Sequence, residues 1–310
     1  MIGHQDAPAD TTVLTDADRA FARRLAADSI GSGDATGWFE TLYAAAERGA
    51  ATVPWADLAP NPRLVSALAD LTGGGRALVI GCGLGDDAEH VASRGFTTVA
   101  FDVSPTAVAG ARRRFPRSTV EYVTADLLSP PRSWAGSFDV VVEVFTLQVL
   151  TGVARRTAFA RTAELVAPGG RLLVIAGARD EHDDPGAMPW PLTRAEVESF
   201  REYGLTEHSI VDFFDDESRG PVRRWRAWFT APDQGDARQM PRQTPRDRSH
   251  CCRGGWSSAY GSAGCPSETP DCWCDVGWSV RVRNGQRIRA LWWDLTGTPR
   301  LRGVRIIRGG

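Results

Sequence analysis

The chain has 310 residues, 42% of them hydrophobic and 24% charged, which is material for one large or two ordinary globular domains with a sizeable core. A formal net charge of −2 excludes bulk attraction to nucleic acid or to a membrane surface. No apolar run approaches the ~20 residues that span a bilayer, and residues 1–6 lack a basic stretch leading into an apolar one, so the expectation is a cytoplasmic protein.

In chain order, residues 1–14 read as disordered and 15–75 as a helical cap. Thr15 followed by Asp18 is a helix start, with Phe21 and Leu25 sharing a face. A second helix begins at Thr36-Gly37-Trp38-Phe39, and Val53-Pro54-Trp55 makes a turn. Asn61-Pro62 opens a third helix, with Leu64, Val65, Leu68 and Leu71 on its apolar side, and Gly73-Gly74-Gly75 stops it.

From Arg76 to residue 232 the pattern alternates strand and helix. Strands are predicted over 77–80, 98–101, 120–123, 138–144 and 171–176, with helices over 86–93, from Ser104-Pro105 to Phe115, and over 153–166. Ala167-Pro168-Gly169-Gly170 reads as a turn. Short continuous apolar strands between helices predict a doubly wound parallel sheet buried on both faces. A helix over 193–203, capped by Thr193 with Glu196, is followed by strands over 205–214 and 222–230. Their connection is too short for a parallel crossover, so they should form an antiparallel hairpin. The expected fold class is therefore α/β: a seven-stranded, mostly parallel, Rossmann-like sheet closed by an antiparallel hairpin.

Residues 233–310 change character. The first 232 residues hold 23 Arg against 31 acidic residues, and the remainder 13 against 7, so the tail is basic where the domain is acidic. Residues 234–253 read as a polar, arginine-rich linker. Cys251, Cys252, Cys265, Cys272 and Cys274 lack the paired spacing of a zinc site, and no metal is expected. Val280 to Asn284-Gly285 carries a hairpin signal within 278–291. The abrupt shift to Arg, Trp, Cys, Gly and Pro resembles GC-rich coding sequence read out of frame, and the tail is expected to have low order.

The chemistry-bearing residues cluster at strand ends, where ligands bind in open α/β sheets. Gly81, Gly83 and Gly85 lie between a strand and a helix, where glycines permit a sharp turn and close approach of a ligand to the backbone. Asp102 ends the second strand, about 20 residues on, placed to accept from ribose hydroxyls, with Val103 next to it. Asp126 and Leu127 follow the third strand, where an adenine fits between a carboxylate and an apolar side chain. Glu143 closes the fourth strand, whereas Asp139 begins it and faces away from the site end. The aromatics Trp38, Phe39, Tyr43, Trp55 and Trp190 favour a small, partly apolar ligand. His182, in an acidic loop, is a weak candidate for a general base.

Taken together, 36–232 resembles the class I S-adenosylmethionine-dependent methyltransferases. Gly81-Cys82-Gly83-Leu84-Gly85 resembles their first motif, Asp102 their ribose acid, Ala125-Asp126 their adenine-side motif, and Phe138-Asp139 with Pro168-Gly169-Gly170 the later ones. Within that class it is most similar to the thiopurine and tellurite methyltransferase group, which Trp38, Pro54-Trp55 and Gly85-Asp86-Asp87-Ala88 also match in kind. The resemblance implies S-adenosyl-L-methionine as cofactor, held by Gly81, Gly83, Gly85, Asp102, Val103, Asp126, Leu127, Glu143 and Trp38, and methyl transfer to a small-molecule acceptor. Neither nucleic acid nor membrane is an expected partner. Position 79 departs from the pattern: it is Val where many class members carry an acid, which puts the contact to the cofactor's amino group in doubt. Glu143-Val144-Phe145-Thr146 stands where adenine-N6 and cytosine-C5 enzymes carry their motifs, against both chemistries. The competing readings are a nicotinamide-dependent oxidoreductase and a non-catalytic binding protein on the same fold.

Overall fold

Seven strands of the computed structural model form one sheet in the order β3-β2-β1-β4-β5-β7-β6. The structure describes residues 14–71, 73–217, 220–233, 290–293 and 299–302. β1 (Arg76–Ile80), β2 (Thr97–Asp102), β3 (Glu121–Thr124), β4 (Phe138–Val144) and β5 (Val166–Gly177) run parallel. β6 (Thr206–Glu217) and β7 (Gly220–Thr230) form the expected antiparallel hairpin, with β7 antiparallel to β5.

Both faces of the sheet are covered, which is why its strands are continuously apolar. Leu78, Ile80, Phe138, Val141 and Val174 pack on one face against Phe159, Leu165 and Phe200. Phe159 and Leu165 belong to α6 (Gly152–Leu165), and Phe200 follows the short α7 (Arg194–Glu198). Ala77, Val79, Val140, Val142 and Leu173 pack on the other face, against α3 (Pro62–Ala67), α4 (Asp86–Ser93) and α5 (Pro105–Arg114). Adjacent residues of β1 thus serve opposite cores.

The amino-terminal helices form a third cluster. α1 (Asp16–Gly31) starts at Thr15, whose side chain accepts from the Asp18 amide while Asp18 accepts from the Thr15 amide. α2 (Gly37–Glu47) starts where Asp34 accepts from the amides of Thr36 and Gly37. Trp38, Leu42 and Tyr43 are buried with Val53, Ala107, Val149 and Met188. Glu40 joins α2 to α5: its carboxylate accepts from Ser104 Oγ (2.6 Å), Thr106 Oγ1 (2.6 Å) and the Thr106 amide (3.1 Å). Ser104 in turn caps α5 by accepting from the Ala107 amide.

Three elements differ from the sequence reading. The third helix ends at Ala67, and Leu68 and Leu71 continue as turns. The helix expected over 193–203 is five α residues followed by a tighter turn over Ser199–Arg201. The turn expected at 167–170 is a bulge inside β5: Phe138 pairs with Val166, the register skips to Val140 with Arg171, and Ala231 exchanges hydrogen bonds with Gly169 and Gly170. That clamp lets the strand run through the glycines.

Contacts divide the chain into two units, 1–246 and 247–310. In the second, β8 (Ala290–Trp293) pairs antiparallel with β9 (Pro299–Arg302). The hairpin turn expected at Asn284-Gly285, the five tail cysteines, the linker over 234–253 and the first 13 residues lie outside the described residues. Among the described residues no helix is long and apolar enough to cross a membrane.

Candidate cofactor site

A cavity of about 730 Å³ opens at the carboxyl ends of β1, β2, β3 and β4, beneath α1 and α2. It lies at the point where strand order reverses, between β1 and β4. Its floor is the turn after β1. Gly81 (φ +61°) lies against Thr146, and a Cβ on Gly83 (φ +51°) would come within 2.9 Å of the Tyr43 hydroxyl. A side chain at either position would be strained and would fill the space between sheet and roof.

Asp102 sits at the end of β2, 6% exposed, and lines the cavity. Its Oδ2 accepts from the Gly83 amide (3.0 Å) and its Oδ1 from the Ser104 amide (2.9 Å), so it fixes the glycine turn to the loop that starts α5. Burial pushes its carboxyl up to about 6 despite these amides. The Val103 amide also approaches this carboxylate, whose two oxygens offer about four lone-pair sites, so capacity remains for a ligand in the cavity. Val103, Asp126 and Leu127 also line the space, and Asp126 holds its own loop by accepting from the Leu128 amide (2.8 Å). Phe101 and Leu128 add apolar surface there.

Trp38 does not line the cavity. It is 1% exposed, stacked on Phe39 (3.9 Å), and sits in the core behind the roof. Phe39, Tyr43 and Trp55 present themselves to the cavity instead. Trp55 Nε1 donates to the Tyr43 hydroxyl (3.0 Å), and burial raises the Tyr43 phenol, which therefore stays protonated. Phe39 and Tyr43 are four residues apart, one helical face, and that spacing was the signal available in the sequence. Trp190 packs in the amino-terminal core without reaching the cavity.

Glu143 and Gly85 also lie outside the lining. Glu143 is fully buried, with Oε1 accepting from the amides of Thr146 (2.6 Å) and Leu147 (2.9 Å) and Oε2 without a hydrogen-bond partner. Burial pushes its carboxyl up to about 7. It shapes the turn after β4 from beneath, including Phe145, which lines the cavity at φ +61°. A bulky residue in that region is strained by roughly 1–3 kcal/mol, a cost the surrounding contacts must offset. Gly85 heads α4 against the Tyr122 hydroxyl. His182 is exposed and outside the lining, whereas Met188 and Pro189 of the same connection reach it.

Among the other lining residues, Arg63, Asp215 and Arg224 carried no sequence signal, whereas Asp87 belongs to the Gly85-Asp86-Asp87-Ala88 run. Arg224 on β7 stacks over Phe145 (4.8 Å), and Arg63 pairs with Asp215 of β6. Asp87, in the first turn of α4, accepts from the Asn61 amide (2.7 Å). Asp139 lies at the opposite end of the sheet, accepting from the Arg76 amide (2.7 Å). Among the described residues no cluster of His, Cys, Asp and Glu could hold a metal ion.

Residues 77–170 match the methyltransferase-domain family. A probable thiol methyltransferase 2 of Arabidopsis thaliana is 28% identical over 207 residues, covering 65% of this chain and 85% of that protein. The N-methyltransferase NodS of Bradyrhizobium japonicum, solved with S-adenosyl-L-homocysteine, superposes with a TM-score of 0.51 at 23% identity, over 63% of this chain and 100% of NodS. A protein solved in work on conversion of a disulfide bond into a thioacetal group during echinomycin biosynthesis gives a TM-score of 0.53 at 22% identity, over 64% and 95% of the two chains. The two structures share the fold with this chain.

Proposed function

We propose, from the premise that this chain carries a class I S-adenosylmethionine-dependent methyltransferase domain, that it methylates a sulfur, nitrogen or oxygen atom of a small, partly apolar acceptor. One observation carries the reading. The carboxylate end at Asp102 and Asp126 and the aromatic end at Phe39, Tyr43, Trp55 and Phe145 bound one continuous cavity, large enough for a donor and a small acceptor side by side. The family match, together with the terminal antiparallel hairpin, sets the nicotinamide reading aside.

The residues present suit the cofactor. Asp102 accepts from ribose hydroxyls, Asp126 and Leu127 flank the adenine, Val103 packs beside them, and Gly81 and Gly83 leave the backbone open to the ligand. When bound, S-adenosylmethionine supplies a methyl group on a sulfonium, a leaving group that needs no acid. The chain's own task is alignment: its aromatic walls exclude water and hold the acceptor atom in line with the methyl carbon. Tyr43 stays a neutral donor above the glycine turn, and aromatic faces suit a cationic ligand. In this reading 15–75 is the cap and 76–232 the catalytic domain, acting in the cytoplasm, while 233–310 takes no part.

Thiols are the first acceptors to test, because the Arabidopsis relative is a probable thiol methyltransferase. Release of S-adenosylhomocysteine is measured with a panel of thiols, amines and small acids. Turnover with at least one member is expected. Turnover only with a protein or an RNA would overturn the reading.

A further inference from the structure

Asp87 is an acid of the lining to which no task has yet been given. It lies two residues past the glycine turn, in the first turn of α4, and lines the cavity. Its neighbours are committed. Asp86 makes a two-pronged pair with Arg114 (2.6 and 2.8 Å), and Asp102 ties the glycine turn to α5. Arg63, a cation in the same part of the lining, is held by Asp215. Asp87 Oδ1 accepts from the Asn61 amide (2.7 Å), and each carboxylate oxygen accepts at more than one lone pair.

Position 79 cannot supply the acid many class members carry there. Val79 is 2% exposed and packs in the core between sheet and helices. We infer that Asp87 takes over that charge, as the anionic partner of the α-ammonium on the donor's amino-acid tail. The inference rests on the cofactor reading above and follows the order of groups along the cavity. With the adenine at Asp126 and Leu127 and the ribose at Asp102, the remaining length of donor would run over Gly81 and Gly83, toward the first turn of α4, where Asp87 lies. The chemistry agrees. A carboxylate drawn out of water is costly without a counter-ion, and a charge-assisted hydrogen bond to an ammonium offsets that cost. Burial, with Asp86 and Asp57 adding to it, pushes Asp87 up to about 6 against the Asn61 amide; an ammonium would draw it back down.

The test is a binding cycle on the full chain, read by calorimetry and needing no acceptor. The unaltered protein and Asp87→Asn are titrated with S-adenosylhomocysteine, with its analogue lacking the α-amino group, and with 5′-methylthioadenosine, which lacks the whole amino-acid tail. Asparagine keeps an oxygen for the Asn61 amide and replaces the other, with its charge, by a neutral NH2 that cannot accept from an ammonium. The expected result is about a tenfold loss of S-adenosylhomocysteine affinity in D87N, roughly 1.4 kcal/mol, with methylthioadenosine within twofold. Removing the amino group should cost the unaltered protein the same factor and cost D87N nothing. Equal loss for both adenosyl ligands in D87N would make Asp87 a structural residue and overturn the inference, as would no loss for either. If D87N does not fold, the comparison of the two homocysteine ligands on the unaltered protein decides: equal affinity overturns the inference. Failure of the unaltered protein to bind any of the three would overturn the cofactor reading itself, and this inference with it.

Discussion

β2 and β4 flank β1, and each carries within its last two residues a buried acid that accepts backbone amides, yet the two acids do different things. Asp102 spends one oxygen on each amide and borders the cavity. Glu143 spends Oε1 on both amides, keeps Oε2 in the core, and borders nothing but protein. A strand end is therefore not sufficient to make a ligand residue. Successive side chains of a strand point to opposite faces, so at the end of β4 Val144 meets the open space and Glu143 does not. Asp102 is built to hold a turn and a ligand at once, Glu143 to hold a turn alone.

The largest expected effect separates the two ends directly. Asp102→Asn leaves one oxygen for two amides and removes the charge, so S-adenosylhomocysteine affinity should fall about 100-fold or more, measured by calorimetry. Glu143→Leu should instead cost stability, about 2–3 kcal/mol in a denaturant titration, because two amides lose their acceptor, and change affinity by less than about threefold. Comparable affinity losses in both variants would erase the distinction.

A pH series sharpens it. Glu143 has an ordinary value of 4.5 and is held at about 7 in the folded chain. Between those values the unfolded chain has released this proton and the folded chain keeps it. Its contribution is thus fully present below pH 4.5, falls as pH rises to 7, and is constant above, by up to roughly 3 kcal/mol. Glu143→Gln, which still offers one oxygen to both amides, should remove that slope from stability measured across the window. An unchanged slope would show that the Glu143 carboxyl is not the group that titrates.

The smallest effects lie away from both ends. His182→Ala should leave turnover within about twofold, as expected for an exposed loop side chain. A chain ending at Pro232 should melt within about 2 °C of the full protein and bind S-adenosylhomocysteine equally well. Loss of folding there would give residues 233–310 a structural role.

The fold was legible because double burial writes itself into sequence as short apolar runs, and because the 205–230 segment left no room for a crossover. The turn at Gly81 and Gly83, with Asp102 beyond it, was legible for a related reason: backbone geometry and strand ends fix where those residues go. What could not be read was rotation and distance. Trp38 and Phe39 are neighbours, and about 100° of helix separates the one in the core from the one at the cavity. The facing of Glu143 needed the register of β4. Arg224 and Asp215 reach the cavity from the terminal hairpin, well beyond the last cofactor motif at Pro168-Gly169-Gly170, and no local pattern marks such a residue. The bulge at Gly169-Gly170 looked like a turn because its partner, Ala231, lies far along the chain.

Glu40 sets how this site must open. Its carboxylate grips Ser104 and Thr106 with three hydrogen bonds, and those bonds outweigh burial to hold it below the usual carboxylate range, so it remains charged and firmly attached near neutrality. The second helix is consequently latched to the rigid part of the domain, and swinging it outward would sacrifice all three bonds at once. Traffic of fresh and spent donor is then left to the segments beside it, α1 and the stretch around Trp55. Admitting a ligand past α1 or the stretch around Trp55 leaves all three bonds of Glu40 intact.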